Sequence, residues 1–303
     1  MDEIIFIEPR KTFMEILRVH NREVPFANLL AFFFNPKEKH ELNTLFIDAL
    51  LETRFTHLGK NESVEISPRI PVYDANSIKV AVEVTTSENN RIDILITSNT
   101  FTICIEFKIN HDLNNPLDDY KKFVNDKYSN QQHYFFVLTP YKKEAIGIAK
   151  EYFESNNEFK QIILSHFINK VKEKLQELYP NYESENIYFK YYFKDFIQTV
   201  ENRKIHSKRH EVYTELKLAI NKKIKSKDFL SCELRKSEFL EIKLQHSYLK
   251  IKIRITTSGW QIEKWIKQIK KWKKDEKTLV YLEKEKSYND IVKELEKFIN
   301  ESC

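Results

Sequence analysis

The chain contains 303 residues, of which 41% are hydrophobic and 31% are charged, so it can build an apolar core and is not a disordered polypeptide. Only three glycines occur, which excludes the glycine-rich phosphate loops of Rossmann dehydrogenases, P-loop ATPases and protein kinases. Three scattered cysteines exclude a disulfide framework and favour a reducing compartment. No apolar run can span a bilayer and no signal peptide is apparent, so we expect a cytoplasmic protein without a membrane segment.

Charge is distributed unevenly along the chain. The net charge is +5, but residues 1–200 carry 24 Lys and Arg against 29 Asp and Glu, whereas residues 201–303 carry 26 against 16. The C-terminal third therefore has a net charge of +10. Such a basic segment indicates contact with a polyanion, and a lysine-rich solvated surface is the alternative interpretation.

Residues 1–200 carry helical and strand patterns that are typical of an α/β domain. Apolar spacing predicts helices within residues 11–54, between Leu117 and about Asn125, and over most of residues 144–225. The segment 64–84 is richer in Val and Ile and predicts strands. Stronger strand patterns lie at Arg91–Thr97, Phe101–Ile109 and His133–Thr139.

Residues 201–303 predict a separate basic domain of the α+β class. Leu249–Ile255 alternates with a period of two, and Leu240–Leu244 is the expected hairpin partner. A helix is expected over residues 260–274, with its tryptophans in the core and its lysines in solvent. A strand at Thr278–Leu282 and a last helix from Ser287 complete the unit.

Three charged residues in the strand pair 91–109 are the candidate catalytic group. Side chains alternate along a strand, so Glu106 and Lys108 point to the same face, and a hairpin would bring Asp93 close to them. Charges in such apolar strands are costly unless they are paired or bind a ligand. Two adjacent carboxylates repel each other, and Mg²⁺ or Mn²⁺ would relieve that repulsion and activate water for attack on a phosphodiester.

These residues, in this order, resemble the PD-(D/E)xK nuclease superfamily. Asp93 and Glu106-Phe107-Lys108 match its motif on consecutive strands. One bacterial branch is matched more closely by the flanking segments, which are Leu29–Pro36 with the following His40, Arg91–Ile96, Ile105–Ile109 and Tyr134–Pro140. The resemblance covers about residues 20–200.

The resemblance implies a restriction-endonuclease-like core of the α/β class, with a mixed central sheet flanked by helices, an additional helical region and the small C-terminal α+β unit. It implies that Asp93 and Glu106 bind the metal together with the Phe107 carbonyl oxygen, and that Lys108 is the catalytic lysine. Glu23, at the start of the first core helix, matches an acidic residue that often joins this metal site. A carboxylate that complements the helix dipole is the alternative interpretation of Glu23.

The function implied by the resemblance is a Mg²⁺- or Mn²⁺-dependent nuclease, with DNA as the expected substrate and phage defence as the expected setting. A homo-oligomer or a defence-system partner protein is the expected assembly. The sequence departs from the family at Ile92, which replaces the proline, and at Pro116, which replaces a glutamine and would weaken turnover. The alternatives are a degenerate nuclease fold that binds nucleic acid or a protein without cleavage, and a purely structural ion-pair network.

Overall fold

The computed structural model describes residues 6–57, 63–64, 72–109, 113–140, 158–182, 186–235, 239–245, 249–268 and 271–302. Within them the chain divides into two compact units. One is Lys11–Val200, and the other combines the described residues up to Arg10 with those from Glu201 onward. The sequence-based domains 1–200 and 201–303 differ from this division at the first ten residues, and their independence as functional domains stays a prediction.

The first unit is built on one mixed sheet flanked by helices. Its helices are α1 (Phe13–Ile16), α2 (Glu23–Phe34), α3 (Leu45–Glu52), α4 (Leu117–Lys127) and α5 (Leu164–Leu178). Its strands are β1 (Phe55–His57), β2 (Ser63–Val64), β3 (Lys79–Thr85), β4 (Arg91–Thr97), β5 (Phe101–Phe107), β6 (Gln132–Thr139) and β7 (Phe159–Ile163). The strand order is β2-β1-β7-β6-β5-β4-β3. Strands β5, β6 and β7 are parallel and the other pairs are antiparallel, so the predicted mixed sheet is confirmed.

Alternation along the central strands sends apolar side chains to both faces of this sheet. Ile103 and Ile105 of β5 pack with α2, α3 and α5, whereas Cys104 packs on the α4 side. Every residue of β5 is buried. A strand covered on both faces reads as a nearly continuous apolar run, so charged residues within or beside β5 need specific partners.

A strand lies among the described residues of the region 144–225, which the sequence predicts to be mostly helical. Residues 159–163 form β7, which pairs in parallel with β6, and α5 begins at the very next residue, Leu164. Because no turn separates the strand from the helix, their apolar residues follow one another directly and resemble the pattern of one longer helix. Residues 144–157 and 183–185 of that prediction, and 65–71 of the strand prediction at 64–84, lie outside the described residues.

The second unit is an antiparallel sheet covered on one face by helices. A long helix, α6 (Lys194–Lys223), spans the division between the units. It is followed by β8 (Phe229–Arg235), β9 (Phe239–Leu244), β10 (Leu249–Thr256), β11 (Gly259–Gln268), β12 (Lys271–Leu282) and α7 (Tyr288–Ser302). The strands lie in sequence order. The predicted pairing of β9 with β10 is confirmed, with Ile242 opposite Ile251.

The helix predicted over residues 260–274 is wrong, because the described residues of this segment belong to strands β11 and β12. Trp260 and Ile262 alternate toward the core, opposite Ile255 and Ile253 of β10. The β11–β12 register shifts between Glu263 and Trp265. Trp265 lies opposite Lys250 of β10 and faces the other side of the sheet, so the spacing of three from Ile262 to Trp265, which resembles a helical repeat, joins residues on opposite faces of one strand.

Within the part of the chain that the structure describes, no helix combines the length and the apolar character needed to cross a membrane.

Candidate active site

The hairpin of β4 and β5 brings the first two predicted residues together. The turn is closed by the Ser98 amide, which donates to the Phe101 carbonyl at 2.8 Å. Because Ile94 pairs with Ile105 in an antiparallel register, the next step along both strands places Asp93 beside Glu106. Asp93 Oδ2 accepts a hydrogen bond of 2.7 Å from the Phe107 amide, so its carboxylate is fixed against the edge of β5.

Lys108 lies between two carboxylates. Its Nζ is 2.7 Å from Glu106 Oε1 and donates to Glu23 Oε2 at 3.1 Å. The other Glu23 oxygen, Oε1, accepts from the Ile109 amide at 3.0 Å. Glu23 is the first residue of α2, so it occupies a helix N-terminus and also contacts the lysine. The four charged residues predicted from sequence therefore share one site.

Burial dominates the electrostatics of this site. Glu106 is 1% exposed, and burial together with the charge of Asp93 raises its pKa to about 8. Burial also raises the pKa of Asp93 to about 6, although the Phe107 amide and Lys108 oppose the shift. The carboxylates hold the pKa of Lys108 above its ordinary value despite its burial. The site combines three carboxyl groups with one ammonium group, and without a further positive charge Asp93 and Glu106 hold their protons more tightly than exposed carboxyls do.

The donor set fits a hard divalent cation only in part. Among the described residues, no group of three His, Cys, Asp or Glu side chains is arranged to hold a metal ion. The neighbouring carboxylates of Asp93 and Glu106 are oxygen ligands of the kind that Mg²⁺ and Mn²⁺ prefer. Glu106 Oε2 is buried without a hydrogen-bond partner in the described part of the chain, and a cation would satisfy it. The two carboxylates are thus compatible with a metal, and the carbonyl oxygen of Phe107 stays a predicted ligand.

A family model described as the PD-(D/E)XK nuclease superfamily matches residues 12–178 of this chain. That range is more than half of the chain and includes the mixed sheet, Glu23 and the β4–β5 hairpin. The chain belongs to the PD-(D/E)XK nuclease superfamily. The resemblance seen in the sequence is therefore confirmed, and membership indicates a hydrolytic nuclease. No match was found among curated proteins or among solved structures.

The peptide of Phe107 lies at the centre of the superfamily motif in this structure. The Phe107 side chain is fully buried and stacks on Phe26 of α2, with the ring centroids 5.8 Å apart. The neighbouring Glu106 and Lys108 point to the other side of β5, as the alternation of a strand requires. Apolar packing of one residue therefore fixes the direction of the two charged residues beside it.

Pro116 departs from the superfamily pattern, and the structure shows what surrounds it. It occupies the position before α4, whose first residue is Leu117. Tyr120, one turn into α4, is buried, and its hydroxyl accepts from Asn115 Nδ2 at 3.3 Å. The charge of Glu106 contributes to raising the pKa of Tyr120, although burial is the larger cause. Asn115 thus provides a side-chain amide one position before Pro116, where the superfamily pattern has a glutamine.

Asp119 is a buried residue whose importance sequence reasoning missed. Asp118 and Asp119 both begin α4, where acidic residues are common because they complement the helix dipole. Asp118 is exposed, but Asp119 is 5% exposed, and its Oδ2 accepts from Thr86 Oγ1 at 2.5 Å and from Asn90 Nδ2 at 2.9 Å. Asp119 therefore ties α4 to the turn that precedes β4. Two adjacent acids gave no sequence signal to distinguish these roles.

His40, one of the residues that carry the resemblance to the superfamily, forms hydrogen bonds with the backbone of the loop in which it lies. The ring is fully buried, with Nδ1 accepting from the Leu42 amide at 3.0 Å and Nε2 lying 2.9 Å from the Asn35 carbonyl. Burial lowers its pKa, which favours the neutral ring that this arrangement requires. His40 thus stabilises the connection between α2 and α3.

Proposed function

We propose that this protein is a metal-dependent nuclease that hydrolyses phosphodiester bonds of DNA. The proposal depends on one observation, the convergence of Asp93, Glu106 and Lys108 on one edge of the sheet within a chain of a nuclease superfamily. Hydrolysis of a phosphodiester needs an activated water and compensation for the charge on the attacked phosphate. The side chains assembled here have the chemistry for both requirements.

Asp93 and Glu106, together with the carbonyl oxygen of Phe107, are the proposed ligands of Mg²⁺ or Mn²⁺. When bound, such an ion supplies Lewis-acid polarisation of the phosphate and a water of lowered pKa. Glu23 is a further candidate ligand, but its two carboxylate oxygens already accept from Lys108 and from the Ile109 amide. We therefore assign it first to the positioning of the lysine.

Lys108 is proposed to orient the attacking water and to neutralise charge on the phosphate. An ammonium group has three N–H donors. The contacts described for Lys108 use two of them, on Glu23 and Glu106, and the third remains for a substrate oxygen. The side chain is nearly buried, so its position is fixed before substrate binds and little ordering is required during the reaction.

Phage defence in the cytoplasm is the proposed setting, and it rests on the superfamily resemblance by analogy. Two buried free cysteines, Cys104 and Cys232, are compatible with a reducing compartment. A homo-oligomer or a partner protein of a defence system remains the proposed assembly.

A cleavage assay tests the proposed function. Supercoiled plasmid, linear duplex and single-stranded DNA are incubated with the full chain and with Mg²⁺, Mn²⁺ or EDTA. We expect metal-dependent cleavage by the unmodified protein and at least a hundredfold loss in Asp93→Asn and Lys108→Ala. Asp118→Asn is the matched control, since it changes an exposed carboxylate of α4 in the same chemical way.

The alternative function predicts a different outcome. A degenerate nuclease fold would bind DNA in EDTA and would cleave none of the three substrates with either metal. In that case Lys108→Ala would retain DNA affinity, and the nuclease proposal would be abandoned. Cleavage of RNA but not DNA would retain the nuclease and overturn only the substrate.

A further inference from the structure

The outer face of the C-terminal sheet is covered by charged and aromatic side chains. The opposite face carries the apolar residues of β10, such as Ile251 and Ile253, which pack with residues of α6 and α7. Alternation therefore points Lys250, Lys252 and Arg254 away from the helices. We define the outer face by the following described side chains from the five strands, Glu233, Arg235, Phe239, Glu241, Lys243, Lys250, Lys252, Arg254, Glu263, Trp265, Trp272 and Lys274.

Aromatic rings on the outer face hold its lysines in place. Lys252 Nζ lies 3.8 Å from the ring centroid of Trp265 and 4.5 Å from that of Phe239. Lys250 Nζ lies 4.4 Å from the Trp272 centroid. Each of these is a cation–π contact of close geometry. Because ammonium groups cover the rings, we infer that the rings position charges rather than stack on bases.

Two of the three glutamates of the outer face, Glu241 and Glu263, lie deeper than the exposed basic groups that contact them. The side chain of Glu263 is 6% exposed, whereas Arg254 and Lys274, its partners at 3.6 and 2.9 Å, are 38% and 31% exposed. Glu241 is 15% exposed and its partner Arg235 is 42% exposed. Glu233 is 35% exposed, but Arg235, Lys243 and Arg254 are 42%, 46% and 38% exposed, so the solvent-facing layer has more basic than acidic groups.

We propose that the outer face of the C-terminal sheet binds the sugar–phosphate backbone of nucleic acid, an inference that rests on the proposed nuclease function for its choice of polyanion. Charge complementarity supports it, since residues 201–303 have a net charge of +10 and the exposed layer of this face is basic. Contacts to phosphates carry no sequence information, so this face would add affinity without base preference.

A triple variant that replaces three basic residues by neutral ones tests this surface while leaving the deeper carboxylates, Glu241 and Glu263, paired. Arg235→Gln, Lys243→Gln and Arg254→Gln remove three exposed charges. Glu241 then keeps Lys250 at 3.1 Å, and Glu263 keeps Lys274 at 2.9 Å. The matched control is Lys222→Gln, Lys293→Gln and Lys297→Gln, which removes the same charge from exposed positions on α6 and α7.

Binding of fluorescent single-stranded and duplex oligonucleotides is measured in EDTA at several salt concentrations, so that the result does not depend on cleavage. We expect the outer-face variant to bind at least tenfold more weakly at ~0.1 M salt. A plot of log affinity against log salt has a negative slope. This slope should become less steep by about 0.9 for each phosphate that the variant no longer neutralises. The control variant should change affinity less than twofold.

Equal affinities of the outer-face and control variants would overturn the proposal. It would also be overturned if the outer-face variant lost binding to phosphatidylserine vesicles while oligonucleotide binding was unchanged, since the face would then contact an anionic membrane. Lys243→Gln alone is the second variant if the triple variant fails to fold, because Lys243 is 46% exposed. It should lower the salt slope by about one, and an unchanged slope would contradict the proposal.

Discussion

Glu23 and Lys108 are 85 positions apart in the sequence, yet Glu23 Oε2 accepts a 3.1 Å hydrogen bond from Lys108 Nζ. Both side chains are largely buried, with 16% and 9% of their surfaces exposed. The contact joins the start of α2 to the end of β5 and thereby fixes the lysine relative to Asp93 and Glu106. The site is thus assembled from a helix and a hairpin, and neither alone contains all its charged groups.

The first prediction concerns the role of Glu23. In Glu23→Gln the side chain can still accept from the Ile109 amide, but it no longer offers a charge to Lys108. We expect the cleavage rate to fall at least tenfold, while the free energy of unfolding falls by only about 1 kcal/mol, as for one hydrogen bond. Single-turnover cleavage and urea unfolding measure the two effects.

Glu38→Gln, at an exposed position beyond the end of α2, is the control for this substitution. DNA binding in EDTA should be unchanged in Glu23→Gln if the residue positions the lysine. A parallel loss of DNA binding and of stability would show instead that Glu23 only supports the fold.

The second prediction concerns the pH dependence of stability in the absence of metal. The pKa values of Asp93 and Glu106 are raised in the folded protein, to about 6 and about 8 from ordinary values of 3.8 and 4.5. The folded state therefore favours the protonated carboxyls, so their stabilising contribution is complete below pH 4 and is lost as the pH rises through 6 and 8. We expect the melting temperature in EDTA to decrease between pH 5 and pH 8.5.

Mn²⁺ should reverse this trend because metal ions and protons compete for the same carboxylates. The rise in melting temperature caused by Mn²⁺ should be small at pH 5.5 and larger at pH 8.5. Differential scanning fluorimetry with matched EDTA and Mn²⁺ samples measures both. A stabilisation by Mn²⁺ that is independent of pH would mean that the ion binds elsewhere.

The third prediction separates the stability of the site from its chemistry. Glu106→Gln preserves the size of the side chain and removes a buried charge whose protonated form the fold favours. At pH 8 without metal, the melting temperature should stay the same or rise by a few degrees, while cleavage and the effect of Mn²⁺ on melting should both disappear. Loss of 10 °C or more in melting temperature would show that the Glu106–Lys108 ion pair stabilises the fold, contrary to this prediction.

The core of the site could be predicted from sequence because strand geometry is simple. The alternation of side chains requires Glu106 and Lys108 to share a face, and the turn at 98–100 requires a hairpin that returns Asp93 to them. The contact of Glu23 with Lys108 depends on how α2 packs against the sheet, and local sequence carries no information on that distance. The family pattern provided the position of Glu23, and the structure added its partners.

Local patterns failed where large apolar residues lie on both faces of a strand. Ile262 and Trp265 of β11 face opposite sides of the sheet, but their spacing of three is also that of a helical repeat, and no nearby residue distinguishes the two structures. The role of Asp119 was missed for a different reason, because the helix dipole already explains an acidic residue at the start of a helix. Its burial depends on Thr86 and Asn90, which belong to another turn of the chain.

The fourth prediction compares Asp119 with its neighbour Asp118. Asp119→Ala would leave the Thr86 hydroxyl and the Asn90 amide without their acceptor, and one unsatisfied buried group costs about 1–3 kcal/mol. Asp118→Ala removes only an exposed charge at the start of α4 and should cost less than about 1 kcal/mol. Urea unfolding of the two variants should therefore give clearly different free energies. The turn held by Asp119 leads directly into β4, so Asp119→Ala should also reduce cleavage, and equal effects of the two substitutions would show that this turn is held by other contacts.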